Sequence, residues 1–376
     1  MTATTTEQLV QEVHSLGVRV VLAVTGGGSR AISSLVAMPG ASRSILAAAV
    51  PYAPEALSEW LGGKPDEFCS SWTARSMAMA AYMRAGRNAP DAVTCGVSCT
   101  ASLASDRPKR GPHRAHLAWQ SASTTVSASI ELTKGRRTRS EEEDLVCSLM
   151  LNQVAEACGA SSRVDPRLLD NEHIETSCVV APAAQQDLLA GRTRAVTLSS
   201  ANDLSRPSAI FPGAFHPLHH GHRRMAQLAR EILGCPVAYE ISIVNVDKPP
   251  LDFIEIDTRS RQFTPDDAVW LTRAPLYVQK AELFAGATFI VGADTIERIG
   301  QPRYYDSAGA MEAGVAEIAS RGCRFLVFGR TVEGTFHTLD NLELPTSLRR
   351  LCQAVPEERF RDEISSTELR RQDQAD

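Results

Sequence analysis

The sequence predicts a two-domain α/β protein. Three observations carry that expectation. The chain has 376 residues, more than one ordinary hydrophobic core organises. Two distant stretches each read as strand, turn and helix: "VRVVLAVTGGGSRAISSLVAM" from Val18 and "SAIFPGAFHPLHHGHRRMAQLAREILG" from Ser208. The strands in both are apolar runs without alternation, which suits parallel strands covered on two faces.

The elements follow in order. In "EQLVQEVHSLG", Leu9, Val10 and Val13 keep helical spacing. A β-branched strand and a glycine-rich turn come next. "HRAHLAWQSAS" and "TTVSASIELTKG" alternate like paired antiparallel strands. "SEEEDLVCSLMLNQVAEACG" reads as a helix, with Ser140 and Glu143 as a capping box and Gly159 as its stop. The first domain is therefore placed at 1–160. Residues 161–205 carry the Ser- and Pro-bearing signature of a connection, in which "QQDLLAGRTRAVTL" adds a helix and a strand to either neighbour. The second domain is placed at 206–376. Its first helix buries Met225, Leu228, Ala229 and Ile232 and stops at Gly234.

Composition narrows the function classes. Hydrophobic content of 43% and charge of 22% describe a globular protein. A net charge of −5 gives no footprint of a nucleic-acid binder. The start lacks the basic and apolar regions of a signal peptide, and "SILAAAVPYA" is too short to span a membrane. A cytoplasmic protein with no membrane partner is expected. The nine cysteines are scattered, with only Cys95 and Cys99 close, so free thiols are expected rather than a zinc ribbon or disulfide framework.

His216, His219, His220 and His222 crowd the strand-to-helix turn of the second domain. Such a turn lies at the carboxyl end of a strand, where ligands bind open α/β sheets. A helix N-terminus there offers free N–H groups to an anion. A zinc site would want a third ligand and a carboxylate base, and neither is near. No protein-held metal is expected.

The turn fits G-x-F-x-P-x-H-x-G-H through Gly213, Phe215, Pro217, His219, Gly221 and His222. "ISSTELR" near the end supplies Ser366, Thr367 and Arg370, and "FIVGADTIER" supplies Gly292 and Asp294. Together these resemble the HxGH/ISSTxxR nucleotidylyltransferase superfamily, in particular nicotinamide mononucleotide adenylyltransferases. The resemblance implies a Rossmann-like domain with a parallel sheet. It implies transfer of a nucleoside monophosphate group, adenylyl from ATP foremost, to a phosphorylated acceptor with loss of pyrophosphate. His219, His222 and Arg370 would face the phosphates. Gly213, Ala214, Phe215, Gly221, Gly292, Asp294, Ser366 and Thr367 would hold the nucleotide. Lys248, Tyr304 and Arg330 are acceptor-side candidates, and Arg259 and Arg261 share Lys248's stretch. His216 and His220 fall on variable positions and are read as bystanders. The cofactor implied is Mg²⁺ carried by ATP. CTP in place of ATP, another acceptor, and a nucleotide-binding regulator without turnover stay open.

The first domain has its own resemblance. Thr25-Gly26-Gly27, Pro39-Gly40-Ala41-Ser42 and "YAPEAL" at 52–57 are similar to the S-C-T-G-G, P-G-A-S and "YSNEAK" segments of the CinA C-terminal domain, a nicotinamide mononucleotide deamidase family. Its nucleophilic serine falls on Ala23 and its activating lysine on Leu57; Tyr52 is retained. A Ser–Lys amidohydrolase needs both groups, so no deamidase activity is expected. Ser29 is the alternative nucleophile if the alignment slips, but Lys64 lies too far along to serve it. Thr25, Gly26, Gly27 and Tyr52 mark an N-terminal pocket. The "TGGGS" turn is suited to a phosphate, although it is not a P-loop. Arg107, Lys109, Arg110 and Arg114 either assist or are solvated. Nucleotide pocket, regulatory site and dimerisation scaffold are three open readings, the last matching a homo-oligomer.

Overall fold

The computed structural model describes residues 4–106, 109–198, 207–246, 248–305, 307–332 and 335–361. The chain is α/β and divides into two compact units. One is Met1–Ala190 with Asn245–Asp257; the other is Gly191–Val244 with Thr258–Asp376. Among the described residues, no helix is long and apolar enough to cross a membrane. All nine cysteines carry free thiols.

The first unit opens with α1 (Thr6–Ser15), β1 (Arg19–Thr25), α2 (Arg30–Val36), β2 (Ile45–Ala49), α3 (Pro54–Leu61) and α4 (Ser71–Asn88). It continues with β3 (Thr94–Ser102), β4 (His113–Gln120), β5 (Thr124–Leu132), α5 (Arg139–Cys158), β6 (Glu175–Val180) and α6 (Ala183–Ala190). The sheet order is β2-β1-β3-β4-β5-β6. The first three strands are parallel and the rest antiparallel.

Strand β1 explains why its sequence does not alternate. Val20, Leu22 and Val24 pack in one core with residues of α1, α2 and α5, while Val21 and Ala23 enter a second core with residues of α3 and α4. Helix α4 lies directly on β3: a Cβ at Gly96 would sit 2.2 Å from the Ala78 carbonyl oxygen, so only glycine permits that approach. The expected cap of α5 moves by two residues. Thr138, with Glu141, closes the capping box instead of Ser140 with Glu143, which frees Glu143 for another task. Gly159 does end the helix, in the left-handed conformation.

The excursion 245–257 belongs to this unit. Phe253 is fully buried and its N–H donates to the Thr125 hydroxyl at 3.0 Å. Buried Arg75 donates to Asp252 and Glu255 at 3.0 and 3.1 Å.

The second unit contains β7 (Ala195–Thr197), β8 (Ala209–Pro212), α7 (His220–Leu233), β9 (Val237–Ser242), the end of α8 (Phe253–Ser260), β10 (Val269–Thr272) and α9 (Tyr277–Leu283). After these come β11 (Thr288–Gly292), α10 (Ala293–Ile299), α11 (Ala308–Ser320), β12 (Arg324–Phe328), the hairpin β13 (Arg330–Val332) and β14 (Thr335–His337), α12 (Thr346–Arg349) and β15 (Cys352–Ala354). The stretch 161–205, read from sequence as a connection, thus gives β6 and α6 to the first unit and β7 to the second.

The large sheet runs β15-β12-β11-β8-β9-β10-β7. All neighbours are parallel except β7, which is antiparallel to β10. From β8 the chain winds outward through β9 to β10; from β11 it winds the other way through β12 to β15. This is the doubly wound order, and its reversal falls between β8 and β11. Connections leave the two strands in opposite directions there, the point at which open α/β sheets bind ligands beyond the carboxyl ends of their strands.

Candidate functional site

The turn after β8 and the turn after β11 leave adjacent parallel strands at that switch point. Gly213 ends the first strand, donating its N–H to the Glu240 carbonyl at 2.9 Å. A Cβ on Gly213 would lie 2.6 Å from the Phe215 ring. Phe215 itself takes a left-handed φ of 45° and is buried. Its ring meets Phe211, Tyr239, Phe263 and His222 edge-on, at centroid distances of 5.1 to 5.5 Å. That aromatic box explains why the backbone tolerates an unfavourable φ at a bulky residue.

His219 is the N-cap of α7, and Gly221 is buried in the first turn. The His219 N–H donates to Nδ1 of His222 at 3.3 Å. The two rings stack, 3.8 Å apart and 27° from parallel. Because Nδ1 of His222 accepts, the ring proton of the neutral imidazole belongs on Nε2. Burial, with the charge of His219 and Arg330 alongside, pushes His222 down to about 3. It is therefore a neutral donor, not an imidazolium, at any ordinary pH.

The β11 turn brings Gly292 and Asp294. A Cβ on Gly292 would lie 2.6 Å from Asp294 Oδ1, so glycine leaves the carboxylate its place. Arg298 pairs with Asp294 at 3.1 Å and Arg330 approaches it at 3.6 Å. The Arg330 charge also bears on His222. Among the described residues, no group of three or more His, Cys, Asp and Glu side chains is placed to hold a metal ion.

Ser366, Thr367 and Arg370 lie outside the described residues. Tyr304 is half exposed on a short 3-10 turn (Pro302–Tyr304), with the Arg303 guanidinium over its ring and donating to its hydroxyl. Lys248 groups with the first unit, its aliphatic carbons beside Gly63. Arg259, which the sequence offers to an acceptor phosphate, donates instead to the Ala214 carbonyl at 3.0 Å. Gln262 accepts from the Leu218 N–H at 2.7 Å and donates to the Phe215 carbonyl at 2.9 Å. Sequence reading missed Gln262. Nothing in "TRSRQF" marks it, because the turn it holds lies more than forty residues away in the chain.

The first unit holds a cavity of about 420 Å³ lined by Thr25, Gly26, Tyr52, Leu57, Lys109 and Arg139 among others. Gly27 packs against Leu103 and Ala101, which line the cavity, and is not itself in its lining. The dyad positions are apolar and share one core: Ala23 and Leu57 are both buried there. The "TGGGS" turn is not an open phosphate cradle. Glu143 fills it, accepting from the Gly28 N–H at 2.9 Å, the Arg30 N–H at 3.2 Å and the Ser29 hydroxyl at 3.0 Å. Burial raises the Glu143 carboxyl, but these donors and Arg139 outweigh it and hold it below its ordinary range. Ser29 is thereby committed as a donor to a carboxylate whose basicity its other donors reduce. Of the basic cluster, Lys109 reaches the cavity, Arg114 pairs with Glu67 at 3.4 Å, and Arg107 lies outside the described residues.

Comparison with known proteins concerns the N-terminal part. The chain resembles a competence or damage-inducible protein from Enterobacter asburiae at 17% identity, covering 42% of this chain and 98% of that one, with a TM-score of 0.34. It resembles the competence/damage-inducible protein CihA from Agrobacterium tumefaciens at 21% identity over 42% and 95%, TM-score 0.31. A CinA superfamily protein from Escherichia coli matches at 18% identity over 41% and 87%, TM-score 0.31. No protein-family model and no curated protein matches the chain.

Proposed function

We propose that the second unit is a nucleotidyltransferase that moves an adenylyl group from ATP to a phosphorylated acceptor such as nicotinamide mononucleotide. One observation carries the reading. The His219–His222 turn and the Gly292–Asp294 turn leave adjacent parallel strands at the switch point, with Arg330 beside Asp294 and its charge acting on His222. An acceptor phosphate oxygen attacks the α-phosphorus, the α–β bridging P–O bond breaks, and pyrophosphate leaves. The chain supplies alignment and charge stabilisation rather than a covalent intermediate. The neutral His222 donates from Nε2, Arg330 adds positive charge, and the α7 N-terminus offers backbone N–H groups. Ser366, Thr367 and Arg370 complete the proposal at the β- and γ-phosphates. Mg²⁺ bound to the triphosphate would neutralise charge across the phosphates, and that ion asks for few protein ligands. The same proposal includes a cytoplasmic location and a nucleoside triphosphate and small phosphorylated acceptor as partners.

Purified protein with ATP, Mg²⁺ and nicotinamide mononucleotide should release pyrophosphate and form the dinucleotide. A panel of triphosphates and acceptors separates adenylyl from cytidylyl transfer. Tight nucleotide binding with no product from any pair would replace the transferase by a nucleotide-binding regulator. The apolar dyad positions of the first unit favour weighing that second reading. Nicotinamide mononucleotide should yield no ammonia above background, because Ala23 and Leu57 provide neither nucleophile nor base. Clear ammonia release would show that other residues perform the hydrolysis.

A further inference from the structure

We propose that Gln262 is a positioning residue for the histidine turn, an inference that rests on the transferase reading of that turn. Its amide stands between the Phe215 carbonyl and the Leu218 N–H, at 2.9 and 2.7 Å. These groups are three residues apart, the separation at which an ordinary turn bonds to itself. Here a side-chain amide is inserted between them, one dipole deep. The turn is held open by that width, and His219 follows Leu218 directly as the N-cap of α7. The amide therefore sets where the chain enters the helix, and with it the place of the stacked His219 and His222 rings.

Two further contacts make the grip rigid. The Gln262 main-chain carbonyl accepts from Arg223 Nη2 at 3.1 Å, and Arg223 is the residue after His222. Arg259 fixes the Ala214 carbonyl just upstream. One segment thus holds the turn before the histidines and the helix after them. The chemistry calls for glutamine. Glutamate accepts but, when ionised, cannot donate to Phe215. Lysine donates but cannot accept from Leu218. Asparagine is one methylene short. An amide also adds no charge beside a site proposed to receive a triphosphate.

The test uses the full chain with Gln262→Leu and Gln262→Glu. Initial rates give kcat and KM for ATP from pH 5 to 8, and hydrogen–deuterium exchange reads residues 215–222. Gln262→Leu should lower kcat roughly 10²-fold, the usual scale for a misplaced reacting group, with KM for ATP within threefold. The Leu218 amide should exchange at least tenfold faster. Gln262→Glu should be as impaired at pH 8 but recover toward pH 5, since a protonated carboxyl both accepts and donates. Acid recovery and a kcat-only effect are outcomes that a merely structural residue would not give. Wild-type kcat and unchanged Leu218 protection in both variants would overturn the proposal. If Gln262→Leu does not fold, Gln262→Glu decides alone. If the wild-type protein makes no product with any acceptor, the transferase reading falls; unchanged Leu218 protection and ATP affinity would then overturn the clamp separately.

Discussion

Replacing His222 by asparagine separates two jobs that one ring performs. Nδ1 accepts the His219 N–H at 3.3 Å, which is a helix-capping task. Nε2 carries the proton and is the proposed donor to phosphate. Asparagine puts an oxygen near the place of Nδ1 and nothing at the place of Nε2. The cap should survive while the donor is lost. Removing one preorganised donor from a site of developing charge costs about 10²–10³ in kcat, or ~3–4 kcal/mol. Alanine removes the cap as well and should add about 1 kcal/mol of lost stability. The assay is pyrophosphate release under saturating ATP, with urea unfolding on the same samples. His222→Asn should lose at least a hundredfold in kcat and less than ~0.5 kcal/mol in stability. His222→Ala should lose both. Because burial holds His222 down to about 3, the wild-type rate profile should show no inflection from this residue between pH 5 and 8. An asparagine variant within threefold of wild type would refute the assignment of Nε2 as donor.

Other expectations concern the scaffold. Gly26→Ala places a Cβ 1.8 Å from the Ala101 carbonyl oxygen at a φ of +74°, so the first unit should lose more than ~2 kcal/mol; an unchanged urea midpoint would contradict the close approach. Arg75→Met strands the buried Asp252 and Glu255 carboxylates and should cost about 3–5 kcal/mol; a loss below about 1 kcal/mol would show that the cluster is already solvated. His116, lowered to about 4 by burial with Arg114 nearby, is neutral when folded but takes a proton near 6.5 when unfolded. The unfolded state therefore binds more protons below that pH. Stability is full above about 6.5 and falls as pH drops toward 4, by up to about 1.4 kcal/mol per unit before allowance for partial exposure. Thermal melts at pH 7 and 5 should show the fall and His116→Asn should flatten it; identical slopes would rule His116 out.

Local patterns were legible and non-local ones were not. The β1 and β8 runs, the antiparallel β4–β5 pair and the Gly159 and Gly234 stops all follow from spacing, backbone freedom and β-propensity. The cap of α5 was misplaced by two residues because Thr138 and Ser140 each precede a glutamate at the right interval. Sequence alone offers no way to choose between them; the choice is made by where Glu143 is needed. The strand order that aligns the Gly213 and Gly292 turns is a product of pairing over some eighty residues, which no periodicity records. The same holds for residues 245–257, whose charges find Arg75 some 177 and 180 positions earlier. Charged residues in a loop read as solvated until a buried partner is known.

Two strand–turn–helix units look alike in the sequence, and their turns end in opposite electrostatic states. At the first, α5 delivers Glu143 to the backbone N–H groups of Gly28 and Arg30. An internal carboxylate is at hand, so a phosphate would have to displace it and strip a buried charge of its backbone donors. At the second, the described first turn of α7 carries no acidic residue. The supporting groups, Arg259 and Gln262, bind carbonyls and an N–H from outside the helix and bring no negative charge to its end. The carboxylates beside it are paired with arginines: Asp267 with Arg223 of that turn, and Asp294 with Arg298 and Arg330. What separates the two turns is not the glycines, which both possess, but that a carboxylate accepts directly from the backbone N–H groups of the first. That difference favours the second turn for the proposed phosphate chemistry and leaves the first unit's cavity to be judged on its own lining of Tyr52, Lys109 and Arg139.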